Sequence, residues 1–367
     1  MAERVLTQRE LNRTLLSRQL LLQRSDLPIP ETVEGLIGLQ AQVPNPPYIG
    51  LWTRLHNFRR DDLTRLIEAR QIVRAALMRS TLHLVTAEDH QRVQPTIAPA
   101  LARALNAFYG QRARGLDIAA LVTAARPFLT EQPRSTGELS NHLLKTAPDR
   151  DPSALAYAVR SYLPLLQVPP SGTWGSGSAT TYVPADLWLG PPEPPNLGGL
   201  LRRYLAAFGP ASVMDFQAWT GMTKLKDALA PLTADLVVYR SEGGKALLYD
   251  LPELEILSGD TPAPVRFIPM FDNLILAHAD RTRVISEEAR RRVFLSAGRV
   301  LATILVDGFV RGIWKVERAK QSATLIIEPF EPLNEADRVA LTDEGERLIR
   351  FIEADAEDYA VQFTDQS

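Results

Sequence analysis

The 367-residue chain contains no cysteine. That absence removes disulfides, a thiolate nucleophile, iron–sulfur clusters and Cys-ligated zinc together. Histidine is scarce as well. The five, at positions 56, 83, 90, 142 and 278, show no HExxH or comparable ligand spacing, so neither a metal nor any other cofactor is expected. No stretch approaches the roughly 18 consecutive apolar residues of a membrane span. The opening MAERVLTQRELNRTLL is charged and amphipathic, unlike a basic flank followed by an apolar run. A cytoplasmic protein is expected. Charge of one sign is also lacking: 41 Lys and Arg face 43 Asp and Glu. At first sight that balance argues against a nucleic-acid partner.

The distribution of charge points the other way. Residues 331–367 hold eleven acidic residues against three arginines, a net of −8, which leaves +6 on the preceding 330 residues. Arginines gather at 4, 9, 13, 18 and 24 and again at 281, 283 and 290–292. Local potential rather than total charge attracts phosphate, so a basic groove is compatible with this chain. Solvated helix faces are the alternative. With 45% hydrophobic and 23% charged residues the composition is that of an ordinary globular protein, long enough for two to four compact units.

One supersecondary order recurs along the chain. Residues 5–24 alternate apolar and basic positions at helical spacing, and Pro28 and Pro30 interrupt before a helix near Glu31. DDLTRLIEAR (61–70) reads as a helix with Asp61 as its N-cap, followed by a β-rich stretch. RSTGELSNHLLKT (134–146) opens on the capping-box pattern Ser135 to Glu138, then DPSALAYAVRSYL (151–163) reads as a helix and LLQVPPSGTWGSGSATTYVPA as a hairpin. A third copy opens at Pro210, with helices in ASVMDFQAWTG and MTKLKDALAPL. It closes on LVVYRSEGGKALLYD, two strands around a tight turn. The predicted fold class is therefore α+β: three tandem winged-helix motifs, a small barrel-like β-rich unit and a terminal helix. The expected units are 1–95, 96–192, 196–262, 263–330 and 331–367. PPEPPNLGG (191–199) separates the second from the third. The acidic last helix carries Leu341, Leu348, Phe351 and Ile352 at helical spacing and is expected along the outside of the protein, away from phosphate.

The densest chemical signal is Gln40-Ala41-Gln42 within LIGLQAQVPNPPYIGLWTRL. Alternate residues of an extended segment point the same way, so two amides would share a face and could hold one water through their carbonyl oxygens, with their NH2 groups fixed by neighbours. Surface glutamines are the bland alternative. A second polar cluster, Asp272, Asn273, His278, Asp280 and Arg281, surrounds the apolar Leu274-Ile275-Leu276. Arg281 and Arg283 read as phosphate contacts, His278 and Asp280 as DNA contacts or as an internally bonded turn. Arg79 and His83 lie on one side of a predicted strand, suited to DNA contact or to a buried structural role. Trp52, Trp188, Trp219 and Trp314 read as core anchors rather than stacking platforms.

Three segments, GLQAQVPNPPYIGLWTRL, MRSTLHLV, and FDNLILAHADRTRVI followed by TILVDGFVRGIWKVE, resemble the AlkZ-like bacterial DNA glycosylases of azinomycin-resistance type over nearly the whole chain. The resemblance implies a C-shaped winged-helix scaffold and a Gln-hydrophobic-Gln catalytic signature, which Gln40, Ala41 and Gln42 match. An Asp replaces the second Gln in a sister branch. It also implies a glycosylase acting on double-stranded DNA with alkylated bases; a monomer at the nucleoid is expected, the lack of a lysine near the pair favours a monofunctional enzyme, and the chemistry assigns the water to Gln42, with Gln40 supporting it or the sugar. N7-alkylguanine, bulky adducts and interstrand crosslinks are the expected lesions, and Ala41, being small, would leave room for a bulky one. A β-hairpin of this family probes the minor groove, which adds Asn273 to the expected DNA contacts. A non-catalytic DNA-binding protein or regulator, and a scaffold or small-molecule binder without DNA affinity, are the competing readings. The first would not need the glutamine pair; the second would lack a continuous basic groove.

Overall fold

Three helices begin where a hydroxyl and a carboxylate can satisfy each other's backbone donors. Thr7 and Glu10, Ser135 and Glu138, and Ser212 and Asp215 each form a reciprocal capping box, opening Gln8–Arg18, Thr136–Leu143 and Val213–Thr220. The computed structural model describes residues 4–244 and 246–364; the extremes of the first and last expected units, 1–3 and 365–367, lie outside the described residues. The helix expected over 5–24 is shorter, because Arg4–Leu6 is a strand paired in parallel with Val237–Ser241, far away in sequence. Arg59, not Asp61, is the N-cap of Arg60–Glu68. Asp61 sits inside the first turn, where a carboxylate complements the positive end of the helix. The helix expected near 222–231 is reduced to Lys226–Leu229 and a 3-10 turn over Ala230–Thr233 that contains Pro231.

The content is mixed α and β, arranged, among the described residues, around three open sheets. The largest has six strands in the order Leu39–Gln40, Leu82–Thr86, Ile72–Ala76, Leu165–Gln167, Thr181–Pro184, Arg134–Ser135. Strands from the first two expected units thus share one antiparallel sheet. A three-stranded sheet joins Arg4–Leu6, Val237–Ser241 and Leu247–Asp250.

The barrel expected over 263–330 is instead an open five-stranded sheet: Arg266–Ile268, Thr303–Val306, Phe309–Ala319, Ser322–Pro329 and Asp358–Phe363. Its last strand comes from the acidic tail and runs parallel to Ser322–Pro329, so the helix Glu335–Ile352 is the crossover between them. That helix buries Leu341, Leu348 and Ile349 against Phe267, Leu325 and Ile327. Its acidic side is not wholly outward either: Glu344 is buried and receives Arg24 Nη2 at 2.5 Å. Of the tryptophans, Trp219 and Trp314 are buried in the core.

Three histidines are buried, and burial pushes them down, His83 and His278 to about 3 and His90 to about 4, with Arg79 and Arg283 adding to the first two. They are neutral in the folded protein at pH 5, whereas the unfolded chain protonates them below about 6.5. The unfolded state therefore takes up more protons as pH falls from about 6.5 toward 3, and folding stability falls with it. The loss is up to about 1.4 kcal/mol per histidine per pH unit in that window. Urea unfolding should show a lower midpoint at pH 5 than at pH 7. Equal midpoints would mean that these side chains are solvated in the native state.

Candidate active site

The glutamine segment is held from both sides. After the helix Ile29–Gly35, the chain reverses through left-handed Ile37 and Gly38, φ 51° and 84°. A Cβ at Gly38 would lie 2.5 Å from Val85 Cγ1 and 2.9 Å from the Leu84 carbonyl, so glycine is required for the strand to approach its neighbour. Asn273 Nδ2 donates to the Gly38 carbonyl at 2.9 Å. Leu39–Gln40 then pairs with Leu82–Thr86, placing Gln40 opposite His83, and Ala41 N donates to Leu82 O at 2.7 Å. Beyond Gln42, Pro44, Pro46 and Pro47 end the extended run, and the last two open the helix Pro46–Arg54.

Ala41 is buried among Val33, Leu36, Tyr48 and Leu51, so its side chain fills the core and leaves no room for an adduct. The two glutamines take the other side of the segment. Gln40 Oε1 accepts from Arg79 Nη2 at 2.7 Å, and Gln42 Oε1 accepts from Leu82 N at 3.3 Å. The carbonyl oxygens are engaged by protein donors, and neither side-chain nitrogen has a protein partner among the described residues. Gln42 is exposed and Gln40 is nearly buried.

Arg79 lies in the turn Met78–Ser80 rather than on a strand, with φ 57°, followed by Ser80 at φ 59°. Its Nη1 donates to the Trp219 carbonyl at 2.9 Å, tying the turn to the end of Val213–Thr220. Burial pushes its guanidinium down to about 10, with the charge of Arg281 adding to the effect, and it stays cationic at neutral pH. Arg281 is half-buried, 4.9 Å over the Phe294 ring, with no hydrogen-bond partner for Nε among the described residues. Burial, then Arg290, lowers its pKa.

The remaining predicted contacts divide by burial. Asp280 is exposed, and its Oδ1 accepts from Thr282 N and Oγ1 at 3.0 and 2.7 Å, the internally bonded turn. His83, Asn273, His278 and Arg283 are buried in the free protein. His83 Nδ1 donates to Thr81 O at 2.9 Å, His278 Nε2 to Phe208 O at 3.0 Å and Arg283 Nη1 to Pro210 O at 2.8 Å. Asn273 thus braces the glutamine segment, His83 bonds within its own strand connection, and His278 and Arg283 hold the segment around Phe208 and Pro210.

Arg74 is the site residue that the sequence reading missed. Its Nε and Nη2 donate to the Ala41 carbonyl at 3.0 and 2.6 Å, and its Nη1 to Gln167 Oε1 at 2.5 Å. A charged residue between Val73 and Ala75 in an otherwise apolar strand was the available signal.

A family model described as DNA glycosylase AlkZ-like matches residues 33–351. The chain belongs to that family. The AlkZ-like match takes in the glutamine segment, Arg74, Arg79 and the 272–283 loop. A curated interstrand DNA cross-link repair glycosylase from Streptomyces sahachiroi is 25% identical over 170 residues, 44% of this chain and 45% of that protein. The match thus spans about half the length of that AlkZ-like relative. The solved structure of Streptomyces sahachiroi DNA glycosylase AlkZ superposes with a TM-score of 0.81 at 19% identity, covering 98% of this chain and all of that one. The fold is the shared property at that identity.

The loop that holds Gly38 is itself anchored by Asp272, whose two oxygens receive Arg54 Nη1 and Nη2 at 2.8 Å each. Asp272→Asn leaves a buried guanidinium uncompensated, and urea unfolding should register a loss of about 3 kcal/mol or more. A loss below about 1 kcal/mol, the range of a solvated surface pair, would show that the site does not depend on it.

Proposed function

We propose that this chain is a monofunctional DNA glycosylase that hydrolyses the N-glycosidic bond of cationic alkylated purines in duplex DNA, with N7-alkylguanine the simplest substrate. The observation that carries the reading is the pair of side-chain amides on one side of a strand edge, one of them bonded to the cation Arg79, which in turn feels the charge of Arg281, in a chain of the AlkZ-like family. The name of the curated relative supports extending the substrate range to bulky adducts and interstrand crosslinks.

An N7-alkylated purine already carries positive charge. When the bond from C1′ to the base nitrogen breaks, the electron pair goes to the base, which leaves neutral, and positive charge passes to the sugar. A strong acid is unnecessary. Water then adds to C1′ and releases its proton to solvent, so the protein has to position rather than protonate. Gln42 suits this role: it is exposed, and its oxygen, bonded to Leu82 N at 3.3 Å, keeps a second lone pair for a water hydrogen. Gln40 supports it from the strand. Neither the glutamine segment 33–55 nor the hairpin 72–86 contains lysine, which disfavours a Schiff base and strand cleavage.

DNA would reach the site along a C-shaped scaffold of three winged-helix units. Helix pairs followed by antiparallel strand pairs support the second and third: Thr136–Leu143 and Pro152–Tyr162 before Leu165–Gln167 and Thr181–Pro184, then Val213–Thr220 and Lys226–Leu229 before Val237–Ser241 and Leu247–Asp250. Arg281 is the predicted contact best placed for phosphate, being the one with a cation not already bonded inside the protein among the described residues.

Release of N7-methylguanine from a duplex tests the reading, with alkali converting abasic sites to breaks. Wild type should give alkali-dependent breaks, and Gln40→Ala/Gln42→Ala should lose them by about 10²-fold or more at unchanged duplex affinity. Duplex binding with no release from methylated or bulky adducts would favour a non-catalytic DNA-binding protein.

A further inference from the structure

The two glutamines resemble each other in sequence and differ in their surroundings. Arginine has only donors, so the Gln40 atom 2.7 Å from Arg79 Nη2 is the carbonyl oxygen. The amide nitrogen then lies on the opposite side of the amide, without a protein partner among the described residues and not sealed from solvent. Turning the amide over would put NH2 against a guanidinium and forfeit a charge-assisted bond. Gln42 has no such lock, since a single backbone N–H at 3.3 Å engages its oxygen.

Arg79 is itself held. Nη1 is bound to the Trp219 carbonyl at 2.9 Å. Its backbone is left-handed, and Gly221, φ 79°, lies flush against it, so that a Cβ there would come within 3.0 Å of Arg79 Cα. A guanidinium fork with both arms engaged and its backbone enclosed is a poor mobile phosphate contact and a good fixed bracket. This departs from the sequence reading of Arg79 as a DNA contact.

We propose that Arg79 is a positioning residue that locks the Gln40 amide with its oxygen inward and its NH2 free, so that Gln40 donates a hydrogen bond to the departing base while Gln42 accepts from the water. The assignment rests on the glycosylase reading above and divides its labour. As the glycosidic bond breaks, its electron pair moves onto the purine, and a ring nitrogen or carbonyl oxygen of the base becomes a better acceptor. A donor placed there gains strength in the transition state and not before. No proton is transferred, because the cationic base leaves neutral without one.

Single-turnover release of N7-methylguanine separates the alternatives. Gln40→Glu keeps the size and the Arg79 contact but has no hydrogen to donate, so its rate should fall by about 10²-fold, to the level of Gln40→Ala, at unchanged duplex affinity. Arg79→Ala should slow the same step, recover at least in part with millimolar guanidinium, and cost nothing further in a Gln40→Ala background. Rescue and non-additivity are not properties of a merely structural arginine. Should Arg79→Ala fail to fold, Gln40→Glu still decides. A Gln40→Glu rate near wild type, or a wild-type rate in Arg79→Ala while Gln40→Ala/Gln42→Ala is inactive, overturns the inference and leaves the glycosylase reading standing. Activity surviving in Gln40→Ala/Gln42→Ala overturns the inference together with the glutamine pair as the site, whereas only a wild type that releases no base overturns the glycosylase reading.

Discussion

The buried pair Arg54–Asp272 is the constraint on which the site depends. Arg54 ends the helix that follows the glutamines, and Asp272 begins the turn whose next residue, Asn273, grips the Gly38 carbonyl ahead of them. One bidentate contact therefore brackets the segment fore and aft. Both charges are almost wholly withdrawn from water, and Arg54 further donates from Nε to Gln19 O and from Nη1 to Gly50 O. Withdrawing two ions is expensive, and only such complete pairing makes it tolerable. Geometry is what the expense secures: a strand edge two residues long cannot hold its own register, so the pair and the Arg74 clamp hold it instead.

Around the glutamines the protein uses fixed cations and neutral dipoles. Arg79 is cationic at any ordinary pH, and His83, opposite Gln40, is neutral. Neither of these two groups changes charge close to neutrality. An amide also has two ends, and its role depends on which end a neighbour occupies. Through Arg79 and Leu82, the surroundings engage two chemically identical side chains differently, one by a guanidinium and the other by a backbone N–H.

The helix start at Ser135 and the motif itself could be read locally, since a cap or an alternating pair is defined by residues two or three apart. The sheet that joins Ile72–Ala76 to Leu165–Gln167, and the strand Asp358–Phe363 that completes the last sheet, could not. Their partners are remote, and hydrophobic periodicity carries no address. Burial misled in the same way: His83, Asn273, His278 and Arg283 are polar in sequence, yet each finds a backbone partner in the interior.

By itself the sequence determined the absence of thiol chemistry, the mixed α and β content, the family and the two amides that sit together. Those are matters of composition and of spacing over a few residues. Only the tertiary structure decided that Ala41 faces the core, that Arg74 and Arg79 reach the glutamine segment, and that Gln40 presents its nitrogen rather than its oxygen. The physical reason is that a side chain's hydrogen-bond polarity is set by the nearest charge in space. Here that charge stands on a different strand connection, itself held by a third part of the chain.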